Sequence, residues 1–212
     1  MFARHMLKTG VVLGLFAVIG TGIVAYTFEH ARGRIAANER EALLEKLQTL
    51  IPAGEHDNDL LADKIEITDR ALLGGSKPVT VYRARKAGQP VAAVLSPVVA
   101  PDGYSGPIKL LIAVRYDGSL AGVRVIAHRE TPGLGDPIEE TRSDWILKFT
   151  GRSLSDPPPE KWKVKKDGGV FDQFTGATIT PRAVVKSVYN CLQYFAANRD
   201  SLFALPAAAG SS

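Results

Sequence analysis

Residues 172–180 read DQFTGATIT and stand directly before the longest well-patterned helix in the C-terminal part of the chain. Thr180 is predicted to be the N-cap of this helix and Pro181 its first residue, because a hydroxyl followed by a proline favours those positions. Apolar side chains then recur at helical spacing, at Val184, Val185, Val188, Leu192 and Phe195. A phosphate held just ahead of the helix would meet free amide donors and the positive end of the helix dipole.

The same stretch offers two hydroxyl groups, those of Thr175 and Thr178, on either side of the two smallest residues, Gly176 and Ala177. Because neither small residue obstructs the backbone, a bulky reagent can reach a side-chain oxygen here. This arrangement suits phosphoryl chemistry on a threonine. Glycine and threonine before a helix are also typical of an ordinary turn and cap, and local chemistry leaves both interpretations open.

Composition indicates a single globular domain with an appended segment: 212 residues, a net charge of +4 and 23% charged residues. It does not indicate a nucleic-acid partner. The one cysteine, Cys191, cannot form an internal disulfide and is predicted to be a packed thiol on the last helix. No metal site is predicted, because the histidines are scattered along the chain, at His5, His30, His56 and His128.

An uncharged run over residues 9–28 has the length of a helix that crosses a bilayer. A cleaved signal peptide is the alternative, but the run is long for a signal core and no clear cleavage site follows it, which favours an uncleaved anchor. Positive charges on the two sides nearly balance and leave the orientation open: Arg4 and Lys8 precede the run, and Arg32 and Arg34 follow it.

Residues 29–59 are predicted to form a juxtamembrane helix and a linker. The helical part has one apolar face and is stopped by Pro52, and residues 53–59 are rich in turn formers and charge. The apolar face is made by Leu43, Leu44, Leu47 and Leu50. A folded domain is expected over residues 60–203, followed by a small-residue, flexible tail over 204–212.

The domain is predicted to contain an antiparallel sheet. Four strands form two hairpins, 79–85 with 91–99 and 108–116 with 121–128. Apolar residues alternate in the second hairpin, at Leu110, Ile112, Val123 and Val125. Alternation predicts one buried face covered by helices, and therefore an α+β fold. A further short strand is expected at 161–165, with Trp162 and Val164 on one face and exposed lysines on the other.

The second hairpin leads into HRETPGLGDP, residues 128–137, which has two glycines and two prolines and is predicted to be a tight, irregular loop. A helix over 137–149, capped by Asp136, is expected to follow. The glycine spacing does not match a dinucleotide-binding fingerprint. From the residues alone, a connector whose glycines only turn the chain is the favoured interpretation.

Two motifs together resemble one known family. TGAT at 175–178 resembles the motif at which FMN-binding domains of bacterial respiratory subunits carry FMN, and HRETPGLG at 128–135 is similar to the HxETPGLG loop of the same domains. With the N-terminal span and the last helix, the chain is most similar to the G subunits of Rnf/Rsx electron transport complexes. The C subunits of sodium-pumping NADH:quinone reductases share both motifs and are the alternative. A flavin-free, membrane-anchored binding protein is an alternative of another class.

The resemblance implies FMN joined through its phosphate to Thr178, which acts as a tether and not as a catalytic residue. It also implies that Glu130 and Thr131 line the flavin, and that Gly133 and Gly135 let their loop approach it. The other residues implied to bind the cofactor adjoin these positions: Leu134, Thr175, Gly176 and Ala177. Lys166, in the turn that leads to this stretch, is a candidate neighbour of the phosphate or the flavin. Thr175 stands where the family often has serine, which preserves the hydroxyl.

For the whole protein, the resemblance implies a redox subunit of an ion-translocating ferredoxin:NAD oxidoreductase. Residues 1–8 would then lie in the cytoplasm, residues 9–28 would cross the inner membrane, and the domain would lie in the periplasm. The implied partners are the membrane, the other subunits of the Rnf complex and an FAD-dependent flavin transferase that installs the FMN.

Overall fold

The structure is a computed structural model that describes the backbone of residues 2–204 and the side chains of 6–31, 37–38 and 40–204. The chain divides into two compact units between Lys46 and Leu47. Helix α1 runs from Phe2 to Leu50 and ends before Pro52, which cannot continue a helix. Within α1, Met6–Ala31 has a mean hydropathy of 2.2 and exposed side chains. By length and composition this one helix could cross a membrane, and it contains the predicted span 9–28.

The second unit begins with the last turn of α1, so the segment 29–59, predicted to be a juxtamembrane helix and a linker outside the folded domain, contains residues that pack with this unit. Buried apolar side chains in this region are Leu47, Leu50, Ile51 and Leu60. Leu50 lies against Gly122, where a Cβ atom would come within 2.7 Å of Leu50 Cδ2. Asn58 bonds to the edge of the sheet, donating to the Arg83 carbonyl at 2.9 Å and accepting from the Arg85 amide at 2.8 Å.

Five antiparallel strands form one sheet in sequence order: β1 Lys64–Ile67, β2 Val79–Lys86, β3 Gln89–Ala100, β4 Ile108–Arg115 and β5 Leu120–Ala127. The α+β class and both predicted hairpins are confirmed. The first hairpin turns at Ala87 and Gly88, with φ of 51° and 77°, which are the positive values that a tight two-residue turn requires. Strand β1 and the short helix α2, Arg70–Leu73, were not predicted.

Both faces of the sheet are buried at its centre, whereas the sequence predicted one. Directly paired residues share a face. One face carries the paired residues Val81, Leu95, Ile112 and Val123, which belong to the main core with helix α3, Ile179–Ala204. The opposite face carries Tyr82, Val94, Ala113 and Gly122, all buried. Leu50 lies on this second face, which is why alternation in β4 gives way to an almost continuous buried run.

Two arginines on β2, the buried Arg83 and the half-buried Arg85, bind the C-terminal end of α3. Arg83 donates to the Leu202 carbonyl at 2.9 Å and Arg85 donates to the Phe203 carbonyl at 2.7 Å. Both guanidinium groups also pair with Asp63. The last carbonyls of a helix have no partner within the helix, so these side chains satisfy them and fix α3 on the sheet.

The helix predicted over 137–149 is replaced by two short 3₁₀ helices, Asp136–Ile138 and Asp144–Phe149. Asp136 does not cap a helix, because its carboxylate accepts a hydrogen bond from the Gly133 amide at 2.6 Å. The N-cap of the second 3₁₀ helix is Ser143, whose hydroxyl accepts from the Trp145 amide. The Ser143 hydroxyl also donates to the Pro137 carbonyl at 2.6 Å, which closes the turn between the two segments.

The predicted strand at 161–165 is also wrong. This stretch lies between two 3₁₀ turns, Pro159–Lys161 and Lys165–Asp167, with one bridge from Val164 to Phe171. The expected burial of Trp162 and Val164 is nevertheless confirmed, and the lysines are exposed. The backbone at Gly169 passes very close to that of Lys163, since a Cβ atom on Gly169 would stand 1.8 Å from the Lys163 carbonyl oxygen. This close approach leaves no room for a partner strand.

Candidate functional site

Two loops leave the sheet at the same end. Strand β3 ends at Ala100, which pairs with Ile108 at the start of β4, and the neighbouring Lys109 pairs with Ala127 at the end of β5. The loop 101–107 and the loop 128–135 are therefore neighbours. The N-terminus of α3 meets them, as the hydrogen bonds of Glu130 show.

Glu130 joins three segments of the chain. Its side chain is buried, with 5% of its surface exposed. One carboxylate oxygen accepts a hydrogen bond from the Ser105 amide at 3.0 Å, and the other accepts one from the Thr180 hydroxyl. Hydrogen bonds to a carboxylate are stronger than neutral ones and offset the cost of its burial. Glu130 therefore fixes loop 101–107 and the first turn of α3 to its own loop.

Two glycines allow this close assembly. At Gly135, a Cβ atom would stand 2.8 Å from Glu130 Cβ and 3.1 Å from the Thr180 hydroxyl oxygen. At Gly103, it would stand 2.2 Å from the Gly106 carbonyl oxygen and 3.0 Å from a Glu130 carboxylate oxygen. Neither position has space for a side chain, so both glycines are required for the backbone to reach Glu130.

His128 orients the start of the same loop. Its Nδ1 accepts a hydrogen bond from the Glu130 amide at 3.0 Å, so the ring proton is on Nε2. Nε2 lies 2.7 Å from a Glu139 carboxylate oxygen and donates to it. Further along, the amides of Leu134 and Gly135 both donate to the Thr131 carbonyl and close a compact turn.

The two motifs singled out in the sequence lie next to each other. Leu134, whose side chain is 46% exposed, lies over Gly176: a Cβ atom on Gly176 would be 3.7 Å from Leu134 Cδ2. Gly176 has a φ of 80° in a tight turn closed by a hydrogen bond from the Ala177 amide to the Phe174 carbonyl at 3.2 Å. The turn leaves Thr175 and Gly176 exposed.

The N-cap of α3 is Thr178 and not, as predicted, Thr180. Helix α3 begins at Ile179, and the Arg182 amide donates to the Thr178 carbonyl at 3.4 Å. Thr180 lies within the first turn, where its buried hydroxyl is taken up by Glu130. Pro181 is consequently the third helical residue. The half-buried Thr178 therefore stands beside the free amide groups that open the helix.

Asp172 fixes the segment that leads into this turn. Its carboxylate pairs with Lys148 at 2.6 Å and with Lys165 at 2.5 Å. The hydrogen bond from Lys148, followed by that from Lys165, holds the pKa of Asp172 below its ordinary value. Its carbonyl accepts from the indole nitrogen of Trp145 at 2.7 Å, and that indole packs edge-on against Phe174.

Two cationic residues, Arg182 and Lys166, lie on the segments that follow and precede the turn. Arg182 binds Asp167 through two hydrogen bonds of 2.5 and 2.6 Å, and this contact lowers the pKa of Asp167. Lys166 is exposed, and its backbone amide donates to the side chain of Gln173 at 3.2 Å. In the described part of the chain, no three His, Cys, Asp or Glu side chains converge as a metal site would require.

Sequence reasoning missed loop 101–107. This loop supplies Gly103 and Ser105 to the Glu130 assembly and exposes the side chain of Tyr104. Its signal was present as the short connection PDGYSGP, in which two glycines flank an aromatic residue between two strands. Such a connection resembles an ordinary turn until the sheet register places it beside Glu130.

Two sequence profiles of known protein families match this chain. The sequence profile of the FMN-binding domain matches residues 103–193, and that of the RnfG N-terminal region matches residues 1–50. The first of these matches contains both motifs and most of loop 101–107.

Relatives match over nearly the full chain. The G subunit of the ion-translocating oxidoreductase complex of Pseudomonas aeruginosa (strain UCBPP-PA14) is 50% identical over 207 residues, which are 98% of this chain and 96% of that protein. The corresponding G subunit of Pseudoalteromonas atlantica is 47% identical over 92% of this chain and 91% of that protein. Among solved structures, NqrC of Shewanella oneidensis aligns with a TM-score of 0.47 and 23% identity over 70% of this chain and 76% of that one. The extent of the matches with the relatives confirms the expected family: the chain belongs to the family of G subunits of ion-translocating oxidoreductase complexes.

Proposed function

We propose that this subunit carries FMN as a phosphoester on Thr178 and passes electrons through it within an Rnf-type complex. The observation that supports the proposal most directly is the meeting of the two motifs at the start of α3. Leu134 of the first lies over Gly176 of the second, and Glu130 is bonded to Thr180 just beyond it. Residues about forty to fifty positions apart in the chain thus meet on both sides of Thr178 in the sequence, at Gly176 and Thr180.

The position of Thr178 supports the proposed attachment. As the N-cap of α3, it lies where free backbone amides and the helix dipole favour a phosphate. Gly176 and Ala177 leave space on one side, and the exposed Lys166 adds a cation in the neighbouring segment. Thr175 is exposed in the turn but does not adjoin the amides of the helix.

In the proposed attachment, the FMN group is transferred from FAD to the threonine, so that one bond forms and one bond breaks. The Thr178 hydroxyl oxygen bonds to the FMN phosphorus while the pyrophosphate bond of FAD breaks. AMP leaves, and the hydroxyl proton is released. No oxidant or reductant is consumed. We assign catalysis of this step to a separate flavin transferase, so Thr178 is an acceptor and then a tether.

When bound, FMN takes up electrons in pairs and releases them one at a time. The chain's own contribution is position and electrostatics. Glu130 and Thr131 hold the loop that would line the flavin, and Gly133 and Gly135 give that loop its turns. Lys166 supplies positive charge. Glu130 joins this loop to loop 101–107 and to the first turn of α3 by hydrogen bonds, so the chain itself supplies the frame of the proposed site.

The rest of the proposal concerns the complex. We assign the subunit to the inner membrane through α1, with the FMN-binding domain in the periplasm and the first eight residues in the cytoplasm. Its partners are the other membrane and peripheral subunits, which together would couple electron transfer between ferredoxin and NAD to ion movement. The apolar Met6–Ala31 helix supports the anchor.

The test is mass spectrometry of the full-length protein after co-expression with a flavin transferase. Wild type and Thr178→Ser should carry the FMN phosphoester mass on the peptide that contains residues 175–180, and Thr178→Ala should lack it. Thr175→Ala is the comparison variant, because it removes a nearby hydroxyl and should reduce the loading while the FMN mass that is present stays on residue 178. Thr178→Ser keeps the hydroxyl group and Thr178→Ala removes it, so measuring the unfolding of both variants beside their FMN mass separates folding from attachment.

Two outcomes contradict the proposal. FMN mass on Thr175 or Thr180 in folded Thr178→Ala would move the site. Absence of FMN mass from the wild-type protein, with an active transferase present, would favour the flavin-free binding protein, which is the alternative of another class.

A further inference from the structure

Large apolar side chains are exposed in few places beyond α1. Among the described residues of that part of the chain they are Tyr104, Leu134, Val170 and Ile179, with exposures of 70%, 46%, 38% and 44%. Three of the four belong to the three segments that meet at Glu130. Scattered exposed apolar residues are ordinary, but a group on segments joined by one buried carboxylate indicates a ligand or a partner.

Tyr104 is the most exposed of the four, and its loop is tightly held. The next residue, Ser105, donates its amide to Glu130 at 3.0 Å. The preceding residue, Gly103, packs so closely on Glu130 that no side chain would fit. Asp102 is paired with Lys186 of α3 at 2.7 Å. The loop is therefore anchored on both sides of Tyr104, and the ring is presented to solvent by a fixed backbone.

The loop that carries Tyr104 and the first turn of α3, which follows the proposed attachment residue, share the hydrogen-bonding partner Glu130. Each hydrogen bond spans about 3 Å, so two bonds to one carboxylate place the Ser105 amide within about 8 Å of the Thr180 hydroxyl. Thr180 is two residues beyond Thr178 in the first turn of α3. A flavin joined to Thr178 by its phosphate has a ribityl chain between the phosphate and the ring, which is long enough to cover that distance.

We propose that Tyr104 forms one wall of the seat for the isoalloxazine ring and packs against it, with Leu134 as an apolar neighbour. This rests on the proposed attachment of FMN at Thr178. Aromatic rings gain about 0.5–1.5 kcal/mol from packing on one another beyond the area that they bury. The seat thus uses a loop that lies between β3 and β4, outside both flavin motifs.

The alternative use of the same side chains is contact with another subunit of the complex. The two roles of these side chains predict different properties of the bound flavin in the isolated protein. A wall of the flavin seat affects the bound flavin when no other subunit is present, whereas a contact with a neighbouring subunit does not.

The experiment uses the full-length holoprotein in detergent, as wild type, Tyr104→Phe and Tyr104→Leu. FMN content by mass spectrometry is measured first, and fluorescence yield and visible circular dichroism are then compared per bound FMN. A phenol in contact with a flavin quenches its fluorescence by donating an electron to the excited ring, and phenylalanine does not. Fluorescence should therefore rise several-fold in both variants. The visible dichroism should persist in Tyr104→Phe, which keeps the packed ring, and weaken in Tyr104→Leu.

Tyr116→Phe is the matched control. Tyr116 follows β4 at the other end of that strand, about 25 Å from loop 101–107 for eight residues of strand, and its hydroxyl donates to Asp200. This variant should match wild type in both spectra.

The outcomes separate the two proposals. Full FMN content with unchanged fluorescence and dichroism in both Tyr104 variants would overturn the seat and leave the attachment at Thr178 intact. Loss of FMN from both variants would also overturn it, because Tyr104 would then act in attachment. Absence of FMN mass from wild type would overturn the attachment itself, and the seat with it.

Discussion

The Thr180 hydroxyl donates a hydrogen bond to the carboxylate of Glu130, fifty residues earlier in the chain. The other oxygen of that carboxylate accepts from the Ser105 amide, so the buried charge has a partner on each oxygen. This one side chain joins loop 101–107, the HRETPGLG loop and the first turn of α3. The rigidity of the candidate flavin site therefore depends on a residue that need not touch the reacting atoms.

Glu130→Gln should destabilise the fold by about 1–3 kcal/mol, because an amide can accept from one of the two donors but presents its NH₂ group to the other. Denaturant unfolding of the detergent-solubilised full-length protein measures this. Glu160→Gln, at an exposed glutamate, is the control and should stay within about 0.5 kcal/mol of wild type. If the loop lines the flavin, Glu130→Gln and Thr131→Val should also shift flavin absorbance while FMN content stays the same. Equal stability of Glu130→Gln and wild type would show that the bonds to Ser105 and Thr180 contribute little.

Gly135→Ala should separate the loop from α3, because the added methyl group would stand 2.8 Å from Glu130 Cβ. Overpacking of this kind costs about 1–3 kcal/mol. Gly54→Ala is the matched control, since a Cβ atom there meets nothing within 4 Å. Both variants can be compared by thermal unfolding. A Gly135→Ala protein as stable as Gly54→Ala would mean that the loop yields easily.

Acid titration should reveal the contact between Lys148 and Asp172. Lys148, and then Lys165, lowers the pKa of Asp172 in the folded protein below the unfolded value of about 3.9. The stabilisation is therefore present at neutral pH and is lost as the pH falls through the lowered folded pKa. Lys148→Met should raise that pKa, as NMR of the carboxyl carbon would measure, with only a small change in stability because both groups are exposed.

Lys77→Met serves as the control for this titration, because Lys77 is exposed and lies outside the segment that contains Asp172. An Asp172 pKa that is the same in Lys148→Met and in wild type would contradict the contact.

Cys191 should not react with thiol reagents in the folded protein. Its side chain is fully buried, and burial raises the pKa of the thiol well above its ordinary value, so the reactive thiolate does not form near neutral pH. Labelling should appear only on unfolding. Ser76→Cys, at an exposed position, should label at once in the same protein. Rapid labelling of Cys191 under native conditions would show that α3 opens locally.

Membrane orientation can be tested with two reporters fused in turn to the C-terminus. A reporter active only outside the cytoplasm should work there, and one active only in the cytoplasm should not, if α1 is an uncleaved anchor with the domain in the periplasm. The apolar length of Met6–Ala31 motivates the span, and the flanking charges do not fix its direction. The reverse pattern of activity would reverse the proposed topology.

Local sequence determined the hairpins and the apolar face of α3. The turn at Ala87 and Gly88 and the alternation of apolar residues in β5 both depend on residues that are neighbours in the sequence. They can therefore be recognised without knowledge of the fold. Residues 137–149 show the limit of this reasoning. Pro137 and an acidic residue before it predict a helix, but the Asp136 carboxylate is bound by Gly133, and Ser143 starts a new segment.

For the site, the sequence by itself determined the two motifs, the order in which they occur and the threonine-rich stretch at which α3 begins. Only the tertiary structure decided that Thr180 is bonded to Glu130 and that Thr178 is the cap instead. It also decided that Gly103 and Ser105 are in contact with Glu130. The physical reason is the register of β3, β4 and β5, which brings distant loops to one end of the sheet, where a buried carboxylate needs donors that its own loop does not supply.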